Sequence, residues 1–161
     1  MQKNYLKVSI KAGLLLIIGF GLFRGYRFYK EILEKERRQK EKNRAILQLF
    51  SKWMQKKETG KTIESYLKEM NFQTVAIYGM SDAGQRLYDE LKHTEIEVKY
   101  AIDKRAVELE NELPVMSVND ELDKVDVIIV TAIYDFCEIA DFMKQKSNNP
   151  VISLEQIVYE M

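Results

Sequence analysis

The chain has 161 residues, room for one compact domain and something more, and its 46% hydrophobic and 31% charged content is ordinary for a globular protein. The net charge of zero conceals a division: residues 1–57 hold 15 Lys and Arg against 4 Asp and Glu, a balance of +11, and residues 58–161 hold 10 against 21, a balance of −11. A single cysteine and a single histidine exclude a disulfide framework, zinc-ligand spacing and a histidine-rich metal site, and the acidic C-terminal part argues against nucleic acid as a partner.

Residues 12–23 (AGLLLIIGFGLF) carry no charge. Twelve residues fall short of the roughly 20 that a spanning helix needs. Lys7 and Lys11, four apart on one helical face, can snorkel to headgroups and so extend the segment a bilayer accepts. Tyr5 on one side and Tyr26 and Tyr29 on the other form an interfacial aromatic pattern. Arg24, Arg27, Lys30, Lys35, Arg37 and Arg38 outnumber Lys3, Lys7 and Lys11, so the positive-inside rule puts everything that follows in the cytoplasm. The expectation is a single-pass anchor in the cell membrane over residues 1–29. A helix lying on the membrane surface and a soluble helix are the alternatives, and RGYRFYK supplies no small-residue cleavage site for a signal peptide.

Residues 30–61 read as a helical linker. The stretch EILEKERRQKEKNR is almost wholly charged, with Glu31 and Lys35 at i,i+4. An apolar stripe follows at Ile46, Leu49, Phe50, Trp53 and Met54, to pack against the domain or against a second copy; Ile46, Leu49, Phe50 and Trp53 are the residues a homodimer would use. Gly60 is placed to cap the helix. Gly60-Lys61-Thr62 is no P-loop, because Gln55 stands where its first glycine belongs and no strand precedes it.

From residue 62 onward strands and helices alternate. Thr62 is an N-cap for a short helix with Ile63, Tyr66, Leu67 and Met70 on one face. Residues 74–78 (TVAIY) form a first strand, with a helix over 83–91; 97–102 (EVKYAI) form a second strand ending at Asp103. A third, short strand covers 113–116, with Ser117 and Asp120 set to open a brief helix. Residues 126–131 (DVIIVT) make the most apolar strand, before a helix over 135–146 with Asp135 as N-cap and Cys137 as a buried packing thiol. A last strand at 151–152 leads to a terminal helix opened by a Ser153/Gln156 capping box. Such alternation predicts a small Rossmann-like α/β domain over 62–161, a parallel sheet of order 3-2-1-4-5, with ligands at the carboxyl ends of the first and fourth strands.

The turn after the first strand, Gly79-Met80-Ser81-Asp82-Ala83-Gly84, matches the dinucleotide fingerprint except that Ser81 replaces its middle glycine. Gly79 allows the sharp turn, Gly84 allows close packing of helix on strand, and free amides at the helix start favour a phosphate. Ser81 obstructs a pyrophosphate or donates its hydroxyl to a smaller phosphate; Asp82 sets a negative charge beside it. Asp103, 19 residues after Gly84, is positioned to accept from ribose hydroxyls. Thr131 and Tyr134, after the fourth strand, face the turn and can touch a base or sugar. The cofactor-binding set is therefore Gly79, Met80, Ser81, Asp82, Gly84, Asp103, Thr131 and Tyr134; no catalytic or metal-binding set is found.

The segments VAIYGMSDAGQRL (75–87), YAIDK (100–104), VIIVTAIYDF (127–136) and VISLEQIVY (151–159) resemble Rossmann-like modules of bacterial surface-polysaccharide and glycosyl-transfer systems, described as nucleotide-sugar-binding or epimerase-like. They are also similar to the N-terminal sugar-nucleotide-binding domain of bacterial sugar acyltransferases. The resemblance spans roughly the last 100 residues and implies that Gly79, Ser81, Gly84 and Asp103 contact a nucleotide sugar, more readily than NAD. It also implies a glycosyltransferase or other glycan-assembly enzyme as partner. Acyl transfer is not expected of this chain, which has no β-helix after the domain. Epimerase chemistry needs a Tyr-x-x-x-Lys pair that is not found after the fourth strand, and His93, the only imidazole, is expected at the surface away from the strand ends. The expected function is a membrane-anchored cytoplasmic module, inactive alone, that binds a nucleotide or nucleotide sugar for surface-glycan synthesis. The alternatives are an NAD-dependent epimerase- or oxidoreductase-like subunit completed by a partner, and an adaptor with an empty site.

Overall fold

The computed structural model describes residues 2–105 and 113–161, with side chains from residue 20 onward. The chain forms two units, Met1–Asn43 and Arg44–Met161. A single helix, α1 (Gln2–Glu58), runs the length of the first unit and contributes its last turns to the second. The expected anchor over 12–23 falls, up to residue 19, outside the described side chains. Among the described residues no helix is long and apolar enough to cross a membrane.

The second unit is an α/β domain. Its elements are α2 (Ile63–Glu69), β1 (Thr74–Tyr78), α3 (Asp82–Leu91), β2 (Glu97–Ile102), β3 (Val115–Met116), β4 (Val127–Val130), a 3-10 turn (Ile133–Asp135), α4 (Phe136–Lys146), β5 (Val151–Ser153) and α5 (Leu154–Glu160). All five strands are parallel in the order β3-β2-β1-β4-β5, as the alternation predicts. The strand pleat sorts side chains onto two faces. Val75, Ile77, Ala101, Val127 and Ile129 point into a core shared with Leu49 and Trp53 of α1, Leu67 of α2, Leu87 and Leu91 of α3, and Ile157 of α5. Ala76, Tyr78, Tyr100, Ile102, Ile128 and Val130 face Ile139 and Met143 of α4. With both faces covered, the central strands can be continuously apolar, which is why VIIV has no polar residue.

The end of α1 belongs to this domain and is not a linker to it. Leu49 and Trp53 are fully buried, and Ile46 and Phe50 pack against the same cluster. The stripe expected to serve a homodimer is therefore spent inside the protomer, because a sheet face four strands wide needs more apolar cover than α2, α3 and α5 provide. Trp53 Nε1 donates to Glu90 Oε2 (3.1 Å), Lys57 Nζ pairs with the same oxygen (2.9 Å), and the Ile63 amide donates to Oε1 (3.3 Å). Glu90 of α3 thus ties α1 and α2 together. Arg86 of α3 lies 5.4 Å from the centre of the Phe50 ring. Gly60, at φ +77°, ends α1 with two bonds, its own amide to Lys57 O (2.9 Å) and that of Lys61 to Lys56 O (3.1 Å), the double closure typical of a left-handed cap. Asn71, at φ +59°, closes α2 in the same way.

Four local expectations are corrected. No helix follows Ser117, although its box-like bonds form: the Ser117 amide donates to Asp120 Oδ2 (2.7 Å) and Asn119 N to Ser117 Oγ (3.3 Å). The turn does not propagate because Tyr100 Oη and Asn149 Nδ2 both donate to Asp123 O (2.6 and 3.1 Å) and draw the chain out. The third strand spans only Val115–Met116. Ser153 caps α5 through the Glu155 amide (3.2 Å), but Gln156 donates forward to Glu160 instead of completing the box. Cys137 is exposed, since α4 turns Ile139, Ala140 and Met143 to the sheet and leaves position 137 on the opposite side.

Candidate functional site

β1 delivers the chain to Gly79 at φ +95°, a conformation that L-side chains rarely adopt. A Cβ on Gly79 would stand 2.9 Å from Thr131 Oγ1. α3 then begins at Asp82 with Ser81 as N-cap. Gly84 in its first turn lies directly over the Gly79 peptide: a Cβ there would meet Gly79 O at 2.0 Å. Both glycines thus have the tasks the fingerprint gives them, the sharp turn and the close approach of helix to strand.

The remaining residues of the expected set divide into two groups. Gly79, Met80, Asp103 and Thr131 are knitted together. The Gly79 amide donates to Ile102 O (2.8 Å), and the Met80 amide to Asp103 Oδ2 (2.8 Å). The Arg105 amide donates to Asp103 Oδ1 (2.9 Å), with the Arg105 guanidinium at 4.0 Å. Asp103, only 9% exposed, therefore uses one lone pair of each oxygen to bind the turn to the end of β2. Thr131 is 1% exposed, and its hydroxyl donates to Gly79 O (2.7 Å) with Tyr78 O at 3.1 Å. Thr131 was expected to touch a ligand; instead it clasps β4 to the glycine turn. Met80 is likewise buried, so its side chain packs beneath the turn.

Ser81, Asp82 and Tyr134 form the exposed group. Ser81 makes no side-chain cap bond. The first bonded amide of the helix is that of Gln85, to Ser81 O (2.9 Å), so the N–H groups of Asp82, Ala83 and Gly84 have no acceptor among the described residues. Three amides and a hydroxyl at the positive end of a helix dipole can hold a phosphate or carboxylate. The Asp82 carboxylate next to them opposes a multiply charged ligand.

A shallow groove of about 430 Å³ runs along the carboxyl ends of β4 and β5, lined by Ile133, Tyr134, Phe136, Cys137, Ser153 and Tyr159, among others. Only Tyr134 of these was legible as a site residue. Tyr159 and Phe136 reach the groove through the placement of α5 and α4, which no local pattern reveals. Tyr78, at the end of β1, has its phenol pushed up by burial and then by the charges of Asp103 and Glu138, so it stays protonated. His93 is exposed beyond the end of α3, away from this edge, as expected. Asp135 occupies the N-cap position of α4 without a cap bond from its side chain. Among the described residues no group of three or more His, Cys, Asp or Glu could hold a metal ion. No family model, no curated protein and no solved structure matches this chain.

Proposed function

We propose that the chain is a membrane-attached, cytoplasmic module that binds a nucleotide or nucleotide sugar at the start of α3 and serves an enzyme of surface-glycan assembly. The observation that carries the reading is the turn itself: Gly79 at φ +95°, Gly84 in contact with its carbonyl, and three unbonded amides beneath an uncommitted Ser81 hydroxyl. A ligand phosphate seated there would have the aromatic groove beyond β4 to one side for its sugar or base. The Ser81 side chain favours a nucleotide sugar over NAD.

A second reading, an adaptor without a ligand, is favoured by the engagement of Asp103 and Thr131 with the protein's own backbone. Melting the full chain with uridine nucleotide sugars, other nucleotide sugars and NAD(H) separates the readings. A ligand at a hundred times its dissociation constant stabilises by about 2.7 kcal/mol, a shift of a few degrees. Ser81→Glu, which puts a carboxylate over the amides, is expected to abolish that shift without lowering the melting point of the free protein. No shift with any ligand would leave the adaptor.

A further inference from the structure

The first unit carries a second feature, and the membrane attachment just proposed leaves open how the helix meets lipid. Phe20, Leu22, Phe23, Tyr26, Phe28 and Tyr29 are each 58–70% exposed. At about 100° per residue they stand near 0°, 200°, 300°, 240°, 80° and 180° around the axis. The one gap among them holds Gly21 and Gly25, whose missing side chains would meet nothing within 4 Å. Cations fall in the same sectors as the rings: Arg24, near 40° on the same ~100° rule, lies 5.9 Å from the centre of the Phe20 ring. Arg27 and Lys30 fall close to the azimuths of Phe20 and Phe23. No side of this segment is apolar with a polar side opposite, which is what a helix lying in the membrane plane requires.

The charges change character along the helix. Lys30 pairs with Glu34 (3.8 Å) and Arg37 with Glu41 (2.9 Å), whereas Arg24 and Arg27 have no carboxylate partner among the described residues. Residues 20–30 contain no Asp or Glu, and the uncharged run 12–23 leads into them. A protein partner covers one stripe of a helix. Rings on nearly every azimuth, mixed with unpaired cations at one level along the axis, match a surround that is apolar and anionic together.

We propose that residues 20–30 form a collar that meets the headgroup layer of an anionic bilayer end-on, with the helix axis steep to the membrane and the uncharged run leading into the lipid. This rests on the membrane-attachment part of the proposed function and is independent of nucleotide binding.

Depth measurement by spin labelling tests it. Leu22→Cys, Phe23→Cys, Tyr26→Cys, Phe28→Cys and Tyr29→Cys are made one at a time in a full-length Cys137→Ser background and reconstituted with phosphatidylethanolamine and phosphatidylglycerol vesicles. The expected result is oxygen accessibility that falls, and nickel-chelate accessibility that rises, steadily from position 22 to position 29. An oscillation with a period of about 3.6 residues would show a helix lying flat and overturn the proposal. Uniform aqueous exposure without vesicle flotation would overturn it too, pointing to a protein partner. Arg24→Gln with Arg27→Gln is expected to weaken flotation with phosphatidylglycerol vesicles on the order of tenfold. Equal flotation with pure phosphatidylcholine would refute the anionic preference. Nucleotide melting reads the C-terminal domain separately, so a failed ligand screen and a failed collar give different results.

Discussion

Asp103 occupies the place of a ribose-binding carboxylate, yet its oxygens accept the amides of Met80 and Arg105 in a nearly closed setting. Asp103→Asn turns one acceptor into a donor facing an amide, so the variant should lose about 1–3 kcal/mol of stability. Calorimetry would read this as a melting point lower by several degrees, and an unchanged value would mean that Asp103 is free for a ligand after all. Gly84 has a different sensitivity. Even the methyl of Gly84→Ala must displace the Gly79 carbonyl, 2.0 Å from the ideal Cβ position. Backbone cannot yield as a flexible side chain does, so a loss of at least about 1–3 kcal/mol is expected in urea unfolding.

At the scale of elements, the last turns of α1 decide where the domain begins. Leu49 and Trp53 supply the cover that α2, α3 and α5 leave incomplete, and Glu90 fixes Trp53, Lys57 and the start of α2 to α3. A fragment of residues 44–161 should unfold cooperatively in urea, whereas one of residues 62–161 should lose on the order of 5 kcal/mol with two large buried side chains removed. Set against a typical total of about 5–15 kcal/mol, that loss leaves the shorter fragment largely unfolded by circular dichroism. Equal stability of the two fragments would show that α1 only rests on the domain.

For the whole molecule, pH dependence has two limbs. Burial, and then the bond to Glu160, pushes the Tyr66 phenol up to about 12; burial, and then the Asp123 charge, does the same for Tyr100. Between the ordinary tyrosine value near 10 and about 12 the folded state holds more protons than the unfolded one, so stability is intact below pH ~10 and falls as pH rises through that window. Urea midpoints at pH 9 and pH 11 should therefore differ less in a Tyr66→Phe, Tyr100→Phe protein than in the parent. On the acid side, the amides of Gln73 and Thr74 and the Thr74 hydroxyl hold Asp126 below the usual carboxylate range. Its contribution is present above pH ~3.9 and is lost as pH falls through the depressed value. Asp126→Asn should lower stability at neutral pH and flatten the acid limb.

The sequence by itself determined the sheet. Runs such as TVAIY and VIIV, separated by helical periods, leave one chirality of crossover and so one strand order, and the spacing of Gly79 and Gly84 specifies a turn whose conformation only glycine satisfies. Caps at Gly60 and Thr62 were legible for the same reason: they are bonds between residues a few positions apart. Tertiary structure alone decided which polar groups were already taken. Asp103 and Thr131 have the right identity and position for a ligand, but their partners come from other strands, and no local pattern shows a carboxylate accepting an amide 23 residues away. The exposure of Cys137, the extended path after Ser117 and the burial of Trp53 were likewise set by contacts distant in the chain, where the need to cover the sheet outweighs local propensity.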